Sequence, residues 1–225
     1  MQDEIDCSLL CEKVVGIITS QILEGKIKAG ERLTELKLSE IFGLSRTPIR
    51  EALRLLENDG FVEIKPRKGA FVTVITEKDV DDIFTLKLKL EPLDAKLSIF
   101  NMGNEDIKFL REVNKKIVDY GKVKNIQKMI QCNTVFHDTI LKKCDNTRLI
   151  KFLDSLFMQF NRATAVSFHE ASRVKDVAIE HSRIVDALEN KDEKGVEKAM
   201  EQHIVNGWKF IRNRVVALGK YRLVF

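Results

Sequence analysis

Several residue types are scarce in this sequence, and each shortage removes a class of protein. The four cysteines, Cys7, Cys11, Cys132 and Cys144, include no CxxC pair. That argues against a disulfide scaffold or a cysteine-based zinc site and leaves reduced, packed thiols. No apolar run approaches the ~20 residues of a membrane span. The opening MQDEIDC is acidic and lacks an apolar core, so it does not read as a signal peptide. The expected location is the cytoplasm. Only three prolines interrupt the chain, so long helices are open to it, and aromatic bulk is limited to 13 Phe, 2 Tyr and 1 Trp. Neither sign of charge prevails: the net charge is +4, and residues 1–75 hold 11 basic and 12 acidic side chains. Bulk charge therefore points to no nucleic-acid partner, and only local placement can.

What is present is a 225-residue chain, 44% hydrophobic and 32% charged, enough to bury a core and stay soluble. Val14, Ile17, Ile18 and Ile22 follow helical spacing and predict a helix over residues 9–24, ended by Gly25. Thr34 reads as the N-cap of a short helix stopped by Gly43. Ser45 caps the next helix, and Pro48 sits in its first turn, where a missing N–H costs nothing. Ala52, Leu53, Leu55 and Leu56 are expected inward, and Gly60 closes the segment. FVEIK and AFVTVI then predict two strands around the turn PRKG. Helix, helix-turn-helix and hairpin together spell a winged helix-turn-helix over residues 1–75. After Val74 the strand signal stops. Breaks near 101–104, 121–125, 144–146, 169–172 and 190–192 divide residues 76–225 into an antiparallel bundle of about six helices. The fold class is mainly α.

The stretch GLSRTPIREALRLLENDG carries the first candidate site. In a helix-turn-helix the N-terminal end of the second helix enters the major groove. The Ser45 and Thr47 hydroxyls can reach phosphates there. Arg46 and Arg50 lie one turn apart, each able to fork onto guanine O6 and N7. Taken alone, such a row is more simply a solvated face of Arg–Glu pairs. The helix-turn-helix context and the basic wing, Lys65, Arg67, Lys68 and Gly69, reverse that judgement. The run from Ile22 to Val72 resembles the GntR family of bacterial transcription regulators. The matching elements are Gly25, Ile27, Gly30, Leu33 and Glu35, the core SRTPIREAL, and the wing Gly69. The resemblance implies DNA contact by Arg46, Thr47, Arg50 and Gly69. One departure is Leu36-Lys37, where some members carry an early arginine.

The bundle holds three of the four histidines in "NTVFHDTIL", "IEHSRIVDAL" and "AMEQHIVNGW". Asn133 and His137 share a helix face, and His181 and His203 follow on two later helices. Three imidazoles from three helices can converge on a divalent ion, but spacing alone favours polar residues packed against loop carbonyls. This half resembles the FCD ligand-binding domain of the FadR subfamily, through Asn133, Phe136-His137, Glu180-His181, Ile184, Ala187-Leu188 and His203-Ile204. The resemblance implies a metal site of Asn133, His137, His181 and His203, holding Zn²⁺, with Ni²⁺ or Mn²⁺ as alternatives. Asn stands where Asp is usual, so the ligand set lacks a negative charge. The six-helix count suggests the VanR-like branch. The resemblance also implies a small carboxylate effector, with Lys87 where Arg is usual and Arg162 as a second candidate for the acid's charge.

The function these readings imply is a homodimeric, ligand-responsive repressor on a palindromic operator in double-stranded DNA, with no membrane partner. Two alternatives stand beside it. One is a sensor that binds an organic acid directly, without metal. The other is a metal-dependent enzyme, which lacks an evident general base and leaves the DNA-binding half unexplained.

Overall fold

The computed structural model describes residues 2–217 apart from 24, 75, 155, 157–167 and 169. The chain divides into two compact units, Met1–Thr76 and Glu77–Gly219.

The first unit runs α1 (Gln2–Leu23), β1 (Arg32–Leu33), α2 (Glu35–Phe42), α3 (Arg46–Asn58), β2 (Val62–Lys65) and β3 (Gly69–Val72). Cys11, Val14, Ile18 and Ile22 recur every three or four residues and are buried, as are Ile49, Ala52, Leu53 and Leu56 of α3. These stripes let α1 pack against α3. Each fully buried Leu or Ile contributes about 1.5–3 kcal/mol. Leu55 does not join this face. It is 44% exposed, because it lies ~100° round the helix from Leu56. Thr34 caps α2 by accepting from the Lys37 N–H at 3.3 Å, and Gly43 ends it in the left-handed conformation at φ 65°. Helix α1 begins upstream of the periodic stretch from residue 9.

The two expected strands are present, and β3 begins at Gly69, so the wing loop is Pro66–Lys68. A third strand, β1, pairs antiparallel with β3 to give the order β1-β3-β2. Two residues are too few to show strand alternation, which is why the sequence does not announce it.

The second unit comprises α4 (Glu77–Ser98), a 3₁₀ turn at Ile99–Asn101, α5 (Asn104–Lys122), α6 (Ile126–Leu141), α7 (147–154), α8 (Ala171–Glu189) and α9 (Glu193–Ala217). Six α-helices are thus seen among its described residues. Asn125 starts α6 by accepting from the Lys128 N–H, and Asn146 starts α7 by accepting from Arg148 and Leu149. Helix α4 packs along α9, α5 along α6 and α8, and α8 along α9. The Trp208 indole donates to Asp81 at 2.7 Å, and Arg212 bridges Glu77 and Asp81, pinning α9 to the start of α4. Among the described residues no helix is long and apolar enough to cross a membrane.

Candidate functional site

The N-terminal end of α3 carries the DNA candidates of the first unit. Ser45 is its N-cap, yet its hydroxyl makes no capping bond, which leaves it available outward. Arg46 and Thr47 are exposed in the first turn, while Pro48 and Ile49 anchor the turn inward. Arg50 is held by a contact the sequence reading did not include. Its guanidinium donates twice to the Glu35 carboxylate, both at 2.9 Å. The Arg50 hydrogen bond holds the Glu35 carboxyl below its ordinary value. The fork Arg50 would offer a guanine is thereby shared with α2. Arg54 pairs with Glu51 at 3.0 Å on the solvated face.

In the wing, Lys68 N–H closes the turn onto the Lys65 carbonyl at 3.0 Å. Arg67 sits at φ 64°, a left-handed conformation uncommon for a side-chain-bearing residue. Gly69 has φ 95°, and a Cβ there would lie 3.4 Å from the Arg32 Nε. Arg32 therefore adds a guanidinium beside the wing, one the sequence reading passed over.

The second candidate lies inside the bundle. His137 of α6, His181 of α8 and His203 of α9 converge, with ligating nitrogens all within 4.8 Å of one another. Their ring centroids are 5.5 Å (137–181), 5.3 Å (137–203) and 4.8 Å (181–203) apart. A cavity of about 20 Å³ beside them is lined by Lys87, Glu91, Asn133, His137, Arg173 and His203. That is room for one ion or one water.

The shell around the rings orients them. His203 Nδ1 meets Glu180 Oε2 at 2.8 Å, and Glu180 also accepts two bonds from Arg173, at 2.7 and 3.0 Å, and one from Asn206 at 2.7 Å. Burial alone would raise the Glu180 carboxyl; the His203 and Arg173 hydrogen bonds outweigh it and hold it at about 2. His137 Nδ1 lies 3.4 Å from Glu91 Oε2, and the buried Lys87 ammonium bonds the other oxygen of that carboxylate. Burial again opposes ionisation, and Lys87 and His137 bring Glu91 down to about 2. A carboxylate at Nδ1 turns Nε2 toward the centre, the arrangement that aims histidine at a metal.

His181 differs. It is fully buried, stacks on Phe136 at 3.8 Å, and neither ring nitrogen has a hydrogen-bond partner. Burial pushes its imidazole well below the usual range, with the charges of His203 and His137 adding to the effect, which keeps it neutral. An orphaned imidazole between two oriented ones fits a ligand set for a divalent ion.

Of the sequence candidates, the structure brings Lys87, Asn133, His137, His181 and His203 together. Arg162 lies outside the described residues. Arg173 and Glu91 were missed. Each belongs to the buried stripe of its helix, Arg173 with Val177, Glu180, His181, Ile184 and Leu188 of α8. A charge at apolar spacing is the signal that could have found them.

A winged helix-turn-helix with an arginine-bearing second helix, accompanied by a helical unit that encloses a polar cavity, defines a DNA-binding transcriptional regulator. Residues 10–72 match the profile "Bacterial regulatory proteins, gntR family" and residues 82–206 match the "FCD domain". The chain belongs to the GntR family and carries an FCD domain. It is 30% identical over 191 residues to the uncharacterized HTH-type transcriptional regulator YdhC of Bacillus subtilis, covering 84% of this chain and 83% of that one. It is 25% identical over 197 residues to the probable D-xylose utilization operon transcriptional repressor of Paenarthrobacter nicotinovorans, covering 87% and 85%. Among solved structures, Escherichia coli McbR/YncC superposes with a TM-score of 0.75 at 20% identity, over 91% of this chain and 98% of that one, a likeness of fold. These relatives are regulators rather than enzymes.

Proposed function

We propose that the protein is a cytoplasmic homodimeric repressor whose two copies of α3 read a short palindromic operator. Arg46 and Thr47, with Arg50 shared with Glu35, face the major groove. Arg67 and Lys68, beside Gly69 and Arg32, attract the backbone. A small carboxylate metabolite is the effector, held in the bundle at a divalent ion, with Zn²⁺ ahead of Ni²⁺ and Mn²⁺. His137, His181 and His203 hold that ion as neutral imidazoles, and Asn133 offers a carbonyl. When bound, the ion supplies a Lewis-acid centre with open positions for the acid's oxygens. Lys87, paired with Glu91, stands beside them as a buried hydrogen-bond donor. The observation that carries this reading is the His181 ring, buried with both nitrogens unpartnered at the meeting point of the other two histidines.

The second copy has a surface to meet on α4. Leu86, Leu90, Leu93 and Leu97 of α4 and Phe100 of the 3₁₀ turn that follows it are spaced alternately by four and three, the seam of a helix pair. Four of the five are exposed, and Leu90 is half-buried.

One observation favours a second reading without metal. The buried Lys87 already supplies a cation at the cavity, and Asn133 brings no charge. A sensor that bonds an organic acid directly would use these same groups.

The test pairs metal analysis with operator binding. Protein purified without chelator is expected to carry about one divalent ion per chain, and a carboxylate that shifts its melting should change operator affinity only before chelation. Arg46→Ala should cost about 1–3 kcal/mol on operator DNA and relax specificity at a G·C pair. Protein that carries no metal and takes up none from Zn²⁺, Ni²⁺ or Mn²⁺ would move the conclusion to the organic-acid sensor. Unchanged operator binding by Arg46→Ala would remove α3 from the groove.

A further inference from the structure

An arginine guanidinium has two edges that can each make a parallel pair of bonds, one formed by Nε and Nη2 and the other by Nη1 and Nη2. Arg50 of α3 commits only the first. Its Nε donates to Glu35 Oε1 and its Nη2 to Glu35 Oε2, both at 2.9 Å. The described residues make no other hydrogen bond to it. The second edge, with one N–H on Nη1 and one on Nη2, stays open. A parallel N–H pair of this kind fits guanine O6 and N7.

The Arg50 and Glu35 side chains are 54% and 34% exposed, and an ion pair so exposed adds little to stability. What two parallel bonds supply is direction. Glu35 is itself well placed to give it. It opens α2 directly after Thr34, whose side chain caps that helix, and its charge suits a helix N-terminus. The Arg50 hydrogen bond, with the charges of Arg50 and Arg46 behind it, holds the Glu35 carboxyl below its ordinary value against slight burial. An unheld arginine can turn to the nearest phosphate on any duplex, which gives affinity without discrimination. A held one loses less freedom on binding and meets only what lies before its open edge.

We propose that Glu35 is a specificity-determining positioning residue: it holds the Nε edge of Arg50, presents the Nη1–Nη2 edge to a guanine, and keeps that arginine from the phosphates of other sequences. This inference rests on the reading that α3 enters the major groove. Glu35 touches no base in this account and acts through Arg50.

The test uses the full-length protein and a duplex that the parent selects from a random pool. Arg50→Ala first marks the base pair that Arg50 reads, as the position where preference for G·C falls on the order of tenfold or more. Glu35→Gln should lose most of the preference at that same pair and keep it elsewhere. On random duplex its affinity should rise, and the slope of log affinity against log salt should steepen by about one, as Arg50 turns to a phosphate. In the Arg50→Ala background Glu35→Gln should change the preference no further. Glu35→Asp keeps the acid at the helix start but is one methylene shorter. It should lose the same preference, and it decides the point should the glutamine variant not fold. Preference retained in a folded Glu35 variant, beside its loss in Arg50→Ala, would overturn the role of Glu35 and leave α3 in the groove. A further loss in the Arg50→Ala background, or a loss spread evenly over the site, would reduce Glu35 to a support of the helix and overturn it equally. Unchanged preference at every pair in Arg50→Ala would instead defeat the groove reading of Arg50, and this proposal with it.

Discussion

Asp94, on the buried face of α4, shows how one side chain writes its environment into the whole protein's response to pH. The Ser98 hydroxyl donates to its backbone carbonyl at 2.8 Å and lies 3.4 Å from its carboxylate. Burial pushes the Asp94 carboxyl up to about 7, against the Cys144 thiol and with the help of the Glu91 charge. The unfolded chain releases this proton near the ordinary value of about 4, while the fold retains it to about 7. Stability is therefore unaffected below the unfolded value and falls as pH rises through the window between the two. Asp94→Asn cannot titrate, so its stability should drop less than the parent's between pH 5 and 8, by roughly 1–3 kcal/mol. Denaturant unfolding at a series of pH values measures this, and parallel profiles for the two proteins would refute it. At this scale the sequence named the histidines, Asn133 and Lys87. It did not name Glu91, Asp94 or Arg173, because a charged residue on an inward face looks like any surface charge until its neighbours are known.

Elements were more legible than residues. Thr34, Gly43 and Pro48 act through local chemistry, so the short helices of the first unit stand where these residues place them, while Ser45 takes the N-cap position without a capping bond. The wing turn was legible too, but its strain was not. Arg67 occupies a left-handed conformation that glycine adopts freely. Arg67→Gly should therefore leave the melting temperature equal or higher while weakening binding to all DNA sequences. The slope of log affinity against log salt should fall by about one, for one lost phosphate contact. A lowered melting temperature would show that the side chain stabilises the turn, and an unchanged slope would place it away from the duplex. Strand β1 and the outward turn of Leu55 escaped the sequence for different reasons. The strand is too short for a period, and an apolar residue at the margin of a stripe falls to either side according to what packs there.

At the scale of the whole molecule the alternating leucines of α4 acquire a second meaning. The helix turns Phe84, Lys87, Glu91 and Asp94 inward to the cavity and core while exposing Leu86, Leu93 and Leu97. One helix thus carries both the proposed effector site and the proposed seam with a second copy. Leu93→Glu places a charge in that seam without emptying the core, since Leu93 is 41% exposed. Light scattering should show the mass falling from dimer to monomer with melting little changed. Affinity for a palindrome should fall toward that for a half-site. A variant that remains dimeric would assign the seam to another surface.

The sequence by itself determined the two-part organisation, the helix-turn-helix and the identity of the three histidines. Caps, turns and periodic stripes are local properties, and a long motif carries its resemblance with it. Only the tertiary structure decided that the histidines meet, that Glu91 and Glu180 orient two of them, and that His181 is left without a partner. It alone decided that Arg50 answers to Glu35, fifteen residues away, and that Leu86, Leu93 and Leu97 of α4 face outward. Each of these depends on which side chains face one another across helices, and periodicity along one chain assigns a residue to a face without saying what that face will meet.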